Sequence, residues 1–289
     1  YILLFLFFDY GILFDDSEAV AVDTVTGEAT GFTIPRGLNI SMALERGVLD
    51  DEGRFYCFFP CEGVGELWRY DPHRNALESL GSPPFDRGRG YNRITVSEGR
   101  IVGTVNSLGE VGVYEYDPKA GRFHSYGFVS PKQTQGGETH GYSVTVAGGH
   151  VYVAVGKVPW RLVALDRATG KAEVILEAPA GNSQIWVTDD YAIRRPDPNN
   201  DQKMEQYALR DGKAVLVDRE WTFGKRPPGP KPAVARPQVR TDELAPTPEG
   251  VSVVQYKLPG DAEWKRVELK VKTYAQSIRR LVALPDGRL

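Results

Sequence analysis

Short runs of alternating apolar and polar residues, broken by turn residues, dominate the chain. One phrase recurs, consisting of an alternating run, a polar turn with Asp or Gly, and a second β-rich run. It reads AVAVDTVTGEATGF from Ala19, LWRYDPHRNALESLG from Leu67, VYEYDPKAGRFHSYG from Val113 and LVALDRATGKAEVIL from Leu162, with a weaker copy, YALRDGKAVLV, from Tyr207. A period of two marks strands. Asp, Pro, Asn and Gly supply the turn dihedrals cheaply, so each phrase predicts a hairpin. Its leading aspartates, Asp23, Asp71, Asp117 and Asp166, recur at intervals of about 46 to 49 residues. A second hairpin precedes each phrase, with turns in LDDEGR, VSEGR, VAGGH, VTDDY and PTPEG.

Two hairpins per period give four antiparallel strands, the blade of a β-propeller. In the best-preserved repeat the strands are expected at Tyr142 to Ala147, Val151 to Val155, Arg161 to Asp166 and Ala172 to Leu176. The expected fold is therefore all-β, one propeller domain over 1–289 with six visible blades of four antiparallel strands. Their approximate limits are 1–35, 36–85, 86–130, 131–180, 181–232 and 233–272, and a further blade starts in 273–289. Either Ile278 to Leu284 completes the first repeat and closes a six-bladed ring, or the chain is a fragment of a larger ring; a seven-bladed ring is the favoured expectation. No 3.6-residue apolar period is sustained, so helices are not expected. Five prolines between Gly224 and Gln238 predict an exposed connection outside any central strand.

Composition narrows the function. Apolar residues make up 41% and charged residues 25%, which suits a globular chain with an ample core. A net charge of -3 argues against nucleic acid, whose binders need a basic field. The opening YILLFLFF is far shorter than the roughly 20 residues of a membrane helix and reads as a buried strand, so no membrane partner is expected. The compartment is not readable directly, with secreted or periplasmic favoured over cytoplasmic. Cys57 and Cys61 have no Cys/His partners for a zinc site and read as packing thiols or one local disulfide. No cofactor is expected.

Candidate chemistry sits where inner strands begin and where second strands join third strands, because these points meet around one mouth of a propeller channel. The strand entries offer Asn39, then Asn92 and Arg93, then His140 and Tyr142, then Gln184 and Trp186. The joins add Asn106, Lys157, Trp160, Arg161, Arg194 and Arg195. Arginine offers a fork to a carboxylate and the aromatics offer flat stacking surfaces, so the set suits an acidic sugar. The plainer reading is that loop surfaces carry polar residues and Arg anyway. His140 stands two residues from Tyr142, and the two can share proton abstraction and donation with an Arg stabilising negative charge. Against this, a His at a strand entry often only hydrogen-bonds a loop. Only Glu138 accompanies His140, so a metal site is not expected, and no glycosidase-type carboxylate pair stands at the mouth.

The phrases YDPKAGRFHSYG, LVALDRATGK and LPDGRL resemble the repeats of bacterial propellers that include the oligogalacturonide and ulvan lyases. The resemblance runs over most of the chain. It implies a propeller fold and, by type and position, a match of His140, Tyr142 and Arg161 to the His, Tyr and Arg with which those lyases abstract the proton α to a uronate carboxylate. The manganese-dependent branch needs several His and a Gln together, and this sequence departs from it. The leading expectation is a carbohydrate-active, polysaccharide lyase-like propeller acting on or recognising an acidic oligo- or polysaccharide. Tyr142 or His140 would be base and acid, and Arg93, Arg161 or Arg195 would neutralise the carboxylate. The second expectation is a non-catalytic propeller that binds a protein or glycan partner through the same mouth.

Overall fold

In the computed structural model the described residues are 2–4, 17–22, 29–34, 47–59, 63–88, 93–107, 109–132, 140–156, 159–178, 184–197, 203–221, 238–240, 253–257 and 260–268. All regular structure among them is β, and no helix occurs. The chain forms two compact units. The first takes Tyr1–Phe59, Trp68–Ser79 and Pro230–Leu289, and the second takes Pro60–Leu67 and Leu80–Gly229.

Among the described residues, twenty-two strands fall into six antiparallel sheets, each a simple meander in which sequence neighbours pair. The first sheet is β1 (Ile2–Leu4), β2 (Ser17–Val22) and β3 (Ala29–Ile34). Next come β4 (Val48–Leu49), β5 (Phe55–Phe59), β6 (Glu66–Asp71) and β7 (Ala76–Gly81). The third holds β8 (Ile94–Ser97), β9 (Arg100–Ser107), β10 (Glu110–Asp117) and β11 (Arg122–Phe128). The fourth holds β12 (His140–Ala147), β13 (His150–Gly156), β14 (Trp160–Asp166) and β15 (Ala172–Ala178). The fifth holds β16 (Ile185–Thr188), β17 (Tyr191–Arg194), β18 (Met204–Arg210) and β19 (Lys213–Trp221). The last is β20 (Gln238–Arg240), β21 (Val253–Lys257) and β22 (Lys265–Glu268). Four-stranded antiparallel blades of the propeller type are thus the building unit, as the repeat predicts.

The repeat reaches atomic detail. Asp71, Asp117 and Asp166 each end a third strand, and Oδ1 of each accepts the backbone N–H groups two and three residues on. These bonds, led by Ala120 N–H for Asp117 and Thr169 N–H for Asp166, hold both carboxyls below the ordinary range. Asp23 lies outside the described residues. Where the third strand meets the fourth, a register shift falls at Val113/Tyr114, at Leu162/Val163 and at Gln206/Tyr207, four to three residues before the residue that ends the strand. Of the Gly224 to Gln238 connection, only Gln238 is described; it is exposed and opens the edge strand β20. Ile278 to Leu284 lies outside the described residues.

In the second unit β8, β12 and β16 are neighbours, and β9 to β10 and β13 to β14 are covered on both faces. That is why VYVAVG and LVALD read as nearly continuous apolar runs. One face of β13 and β14 packs Val151, Val153, Val155, Val163 and Leu165 against Val102, Val111 and Val113 of the preceding blade. The other packs Tyr152, Trp160 and Leu162 against Ile185, Val187, Tyr207 and Leu209 of the following blade. A polar clasp closes the outer edge of the first seam: Glu115, 2% exposed, accepts from Arg167 Nε at 2.6 Å, Tyr126 Oη at 3.0 Å and Arg100 Nη1 at 3.2 Å. Arg167 Nη1 also donates to Glu98 at 2.7 Å. Cys57 is a buried free thiol that burial pushes well above its ordinary pKa, and Cys61 lies outside the described residues.

Candidate functional site

His140 opens β12 opposite Gly156 of β13. Its position is set from the preceding blade, because the neighbouring Gly141 N–H donates to the buried Asn106 Oδ1 at 2.8 Å. Gly141 also has no room for a side chain, since a Cβ there would stand 2.9 Å from Thr104 Oγ1. A register shift between Gly141 and Ser143 then leaves Tyr142 without a cross-strand partner. The Tyr142 ring meets Trp160 of β14, with centroids 4.5 Å apart and planes tilted by 44°. His140 meets the Tyr142 ring edge-on, at 5.7 Å and 85°. Trp160 in turn lies flat over Gly156, whose absent Cβ would stand 2.9 Å from three indole atoms. The structure therefore brings together His140, Tyr142 and Trp160, three of the residues expected at the mouth.

Arg161 does not join them. On a strand, neighbours point to opposite faces. Trp160 and Leu162 face the following blade, so Arg161 lies on the face of Val163 and Leu165. There its Nε donates to Glu177 Oε1 of β15 at 2.8 Å. Strand alternation thus sets Arg161 beside Glu177, on the face opposite to Trp160, and not in the expected convergence with His140 and Tyr142.

The remaining candidates are distributed over neighbouring blades. Arg93 precedes β8, and its backbone N–H and C=O bond to Thr104 Oγ1 and N–H at 3.1 and 2.9 Å. Gln184 precedes β16, and its C=O accepts from Arg195 N–H at 2.9 Å. Trp186 packs with Ile193 and Met204, on the face of its blade opposite to Ile185 and Val187. The Arg195 guanidinium stands 5.9 Å from the Trp186 ring centroid, a cation–π pair. Asn39, Asn92 and Lys157 lie outside the described residues. Among the described residues no group of three or more His, Cys, Asp or Glu is placed to hold a metal ion.

The strand entries therefore carry two aromatic groups, His140 and Tyr142 against the buried Trp160 on one blade and Trp186 with a guanidinium on the next. Of the described arginines expected there, Arg161 of this blade is held by Glu177, and Arg195 stands beside Trp186 on the following blade. Sequence reasoning named Asn106 as a join residue but missed its positioning role, and missed Ser143 altogether; their side chains accept Gly141 N–H and Val187 N–H at 2.8 and 2.9 Å and so position the strand entries. Nothing in a polar residue on an apolar strand announces its partner 35 or 44 residues away.

No family model matches the chain. No curated protein matches it either. Among solved structures it is similar to a protein from Lactobacillus plantarum at 16% identity and a TM-score of 0.46, over 72% of this chain and 65% of that one. It is similar to the periplasmic gluconolactonase of Pseudomonas aeruginosa at 14% and 0.43, over 70% of this chain and 62% of that one. A putative 6-phosphogluconolactonase from Bacteroides fragilis aligns at 12% and 0.46, over 99% and 85%. The chain thus spans just under two thirds of the length of the first two. Likenesses this distant carry nothing about activity.

Proposed function

We propose that this chain is a carbohydrate-recognising propeller protein that takes an acidic, uronate-bearing glycan at the entries of β12 and β16. The observation that carries the reading is the cluster of half-buried His140 and Tyr142 on the buried Trp160, ring centroids 5.7 and 4.5 Å apart, at the start of β12. Sugar rings have apolar faces that lie on aromatic planes, and polar edges that an imidazole and a phenol can meet. Arg195, beside Trp186 on the following blade, is the guanidinium for a carboxylate on an adjoining sugar.

Turnover is the finer possibility. In a β-elimination the base takes the proton α to the carboxylate, the bond to the 4-linked sugar oxygen breaks, and a double bond forms in the ring. That proton is too weakly acidic to leave unless a cation holds the carboxylate. Because Arg161 is engaged by Glu177 on the other face, recognition without cleavage is the favoured form of the proposal.

The test is a titration with oligogalacturonate and oligoglucuronate followed by tryptophan fluorescence, with unsaturated-uronate absorbance recorded in parallel. Saturable quenching that weakens about tenfold in Tyr142→Ala, the scale of one aromatic contact of ~1.4 kcal/mol, supports recognition. Rising absorbance that is lost in both His140→Ala and Tyr142→Phe establishes the lyase form. A wild-type chain inert to every uronate oligomer in both assays overturns the proposal in favour of a protein partner.

A further inference from the structure

The seams on either side of the β12–β15 blade are built from equivalent positions, and at the outer edge one is filled while the other is open. In the seam with the preceding blade, Arg167 reaches back over the turn between β8 and β9 to pair with Glu98 and Glu115, beside Arg100 and Tyr126. In the seam with the following blade each position carries something smaller. Gly148 stands for Glu98, and both have the same left-handed backbone, with φ of 55° and 52°. His150 stands for Arg100, Ala164 for Glu115, Ile175 for Tyr126 and Asp211 for Arg167, by their distances from the turn residues. The result is a cavity of about 280 Å³ lined by His150, Ala164, Asp166, Ile175, Asp211 and Lys213, with Lys171 and Glu173 at its rim.

From this we infer that the cavity is a binding site for a small alkylguanidinium or alkylammonium ligand, distinct from the mouth of the channel. Ala164 and Ile175 form an apolar floor for a short stem. The groups above the floor are mainly acceptors. Asp166 accepts the N–H groups of Ala168 and Thr169 on Oδ1, and its carboxylate lines the cavity. Asp211 makes no ion pair among the described residues, and its Oδ1 lies 3.8 Å from where a Gly148 Cβ would stand. His150 Nδ1 bonds to the Gly148 carbonyl at 3.0 Å and so carries a hydrogen there, which leaves Nε2 as the other ring nitrogen of the lining. Lys171 is paired with Glu173, so Lys213 is the single competing cation in the lining. A donor-rich cation is the chemistry that satisfies the two carboxylates of Asp166 and Asp211, and a guanidinium fills the equivalent place one seam away. The size suits a molecule of a few carbons, at the lower end of ligand pockets of roughly 300 Å³ and above.

The experiment is a titration of the whole chain with agmatine, an alkylguanidinium without a carboxylate, followed by backbone amide shifts, with glucuronate as the anionic control. Saturable shifts confined to the 148–150, 164–175 and 211–213 segments are expected, screened by added salt. Asp211→Asn, which keeps the turn, weakens binding about tenfold, the scale of one charge-assisted hydrogen bond. Gly148→Glu, which restores the guanidinium acceptor found in the filled seam, adds a carboxylate beside Asp211 and strengthens agmatine binding at least about threefold. Absence of saturable shifts with agmatine overturns the inference, as does agmatine binding indifferent to both variants, or glucuronate binding at these same amides. The mouth variant Tyr142→Ala leaves agmatine binding unchanged, so failure here is separable from failure of the glycan proposal.

Discussion

Replacing Arg167 by Ala opens the clasp that closes the seam between the β8–β11 and β12–β15 blades. Arg167 is 14% exposed and Glu115 2%, so the pair is largely out of water. Removing one partner of a buried pair costs about 3–5 kcal/mol because the other charge stays buried. Here Tyr126 Oη and Arg100 Nη1 remain on Glu115, at 3.0 and 3.2 Å, which brings the expected loss down to about 2–3 kcal/mol. For a chain of this size that lowers Tm by about 5–10 °C. Urea denaturation followed by circular dichroism measures it, and Glu115→Gln with the double variant completes a cycle whose coupling exceeds about 1 kcal/mol.

The effect also has a pH signature. Burial alone would raise the Glu115 carboxyl, but hydrogen bonds and charge from Arg167, with Tyr126 and Arg100, outweigh burial and hold it below its ordinary 4.5. A carboxyl lowered in the folded state stabilises fully above its unfolded value and loses that stabilisation as pH falls through the folded value. The gap between wild type and Arg167→Ala therefore narrows as pH drops below about 4.5. An Arg167→Ala chain within about 0.5 kcal/mol of wild type at neutral pH would refute the reasoning and reduce the clasp to a surface ornament.

Gly156→Ala places a methyl group against the Trp160 indole, so it costs about 1–3 kcal/mol and shifts tryptophan emission; unchanged stability and emission would show that the indole lifts freely. Tyr56, Tyr126 and Tyr207 are each raised to about 12, first by burial and then by Asp50, Glu115 and Glu205. Their neutral forms stabilise the fold fully below pH 10, and stability falls between about 10 and 12; tyrosinate absorbance and ellipticity should change together there. Cys57, buried and raised, resists iodoacetamide until the chain unfolds, which mass spectrometry of labelled protein across a urea series checks.

The strands were legible because each law that shapes them is local. Alternation, turn residues and a constant interval placed the four strands of the β12–β15 blade within two residues of their observed ends. Asp117 and Asp166 could be matched because an aspartate bonding the two N–H groups ahead needs no distant partner. The site was less legible because it depends on register across strands and blades. His140 and Tyr142 do come together, but the contact with Trp160 follows from a bulge and from the empty place at Gly156. Arg161 looked equally close by position, yet one residue of alternation sends it to Glu177. The open cavity beside His150 is visible only by comparing seams, since Ala164 and Gly148 are unremarkable residues singly.

The bonds from Gly141 N–H to Asn106 and from Val187 N–H to Ser143 run in one sense, each later blade hung from a side chain of the earlier one. The level at which His140 or Trp186 presents itself is gauged by the neighbour behind it. Exchange of Asn106 or Ser143 would alter the elevation of the next blade and so retune its neighbours as well.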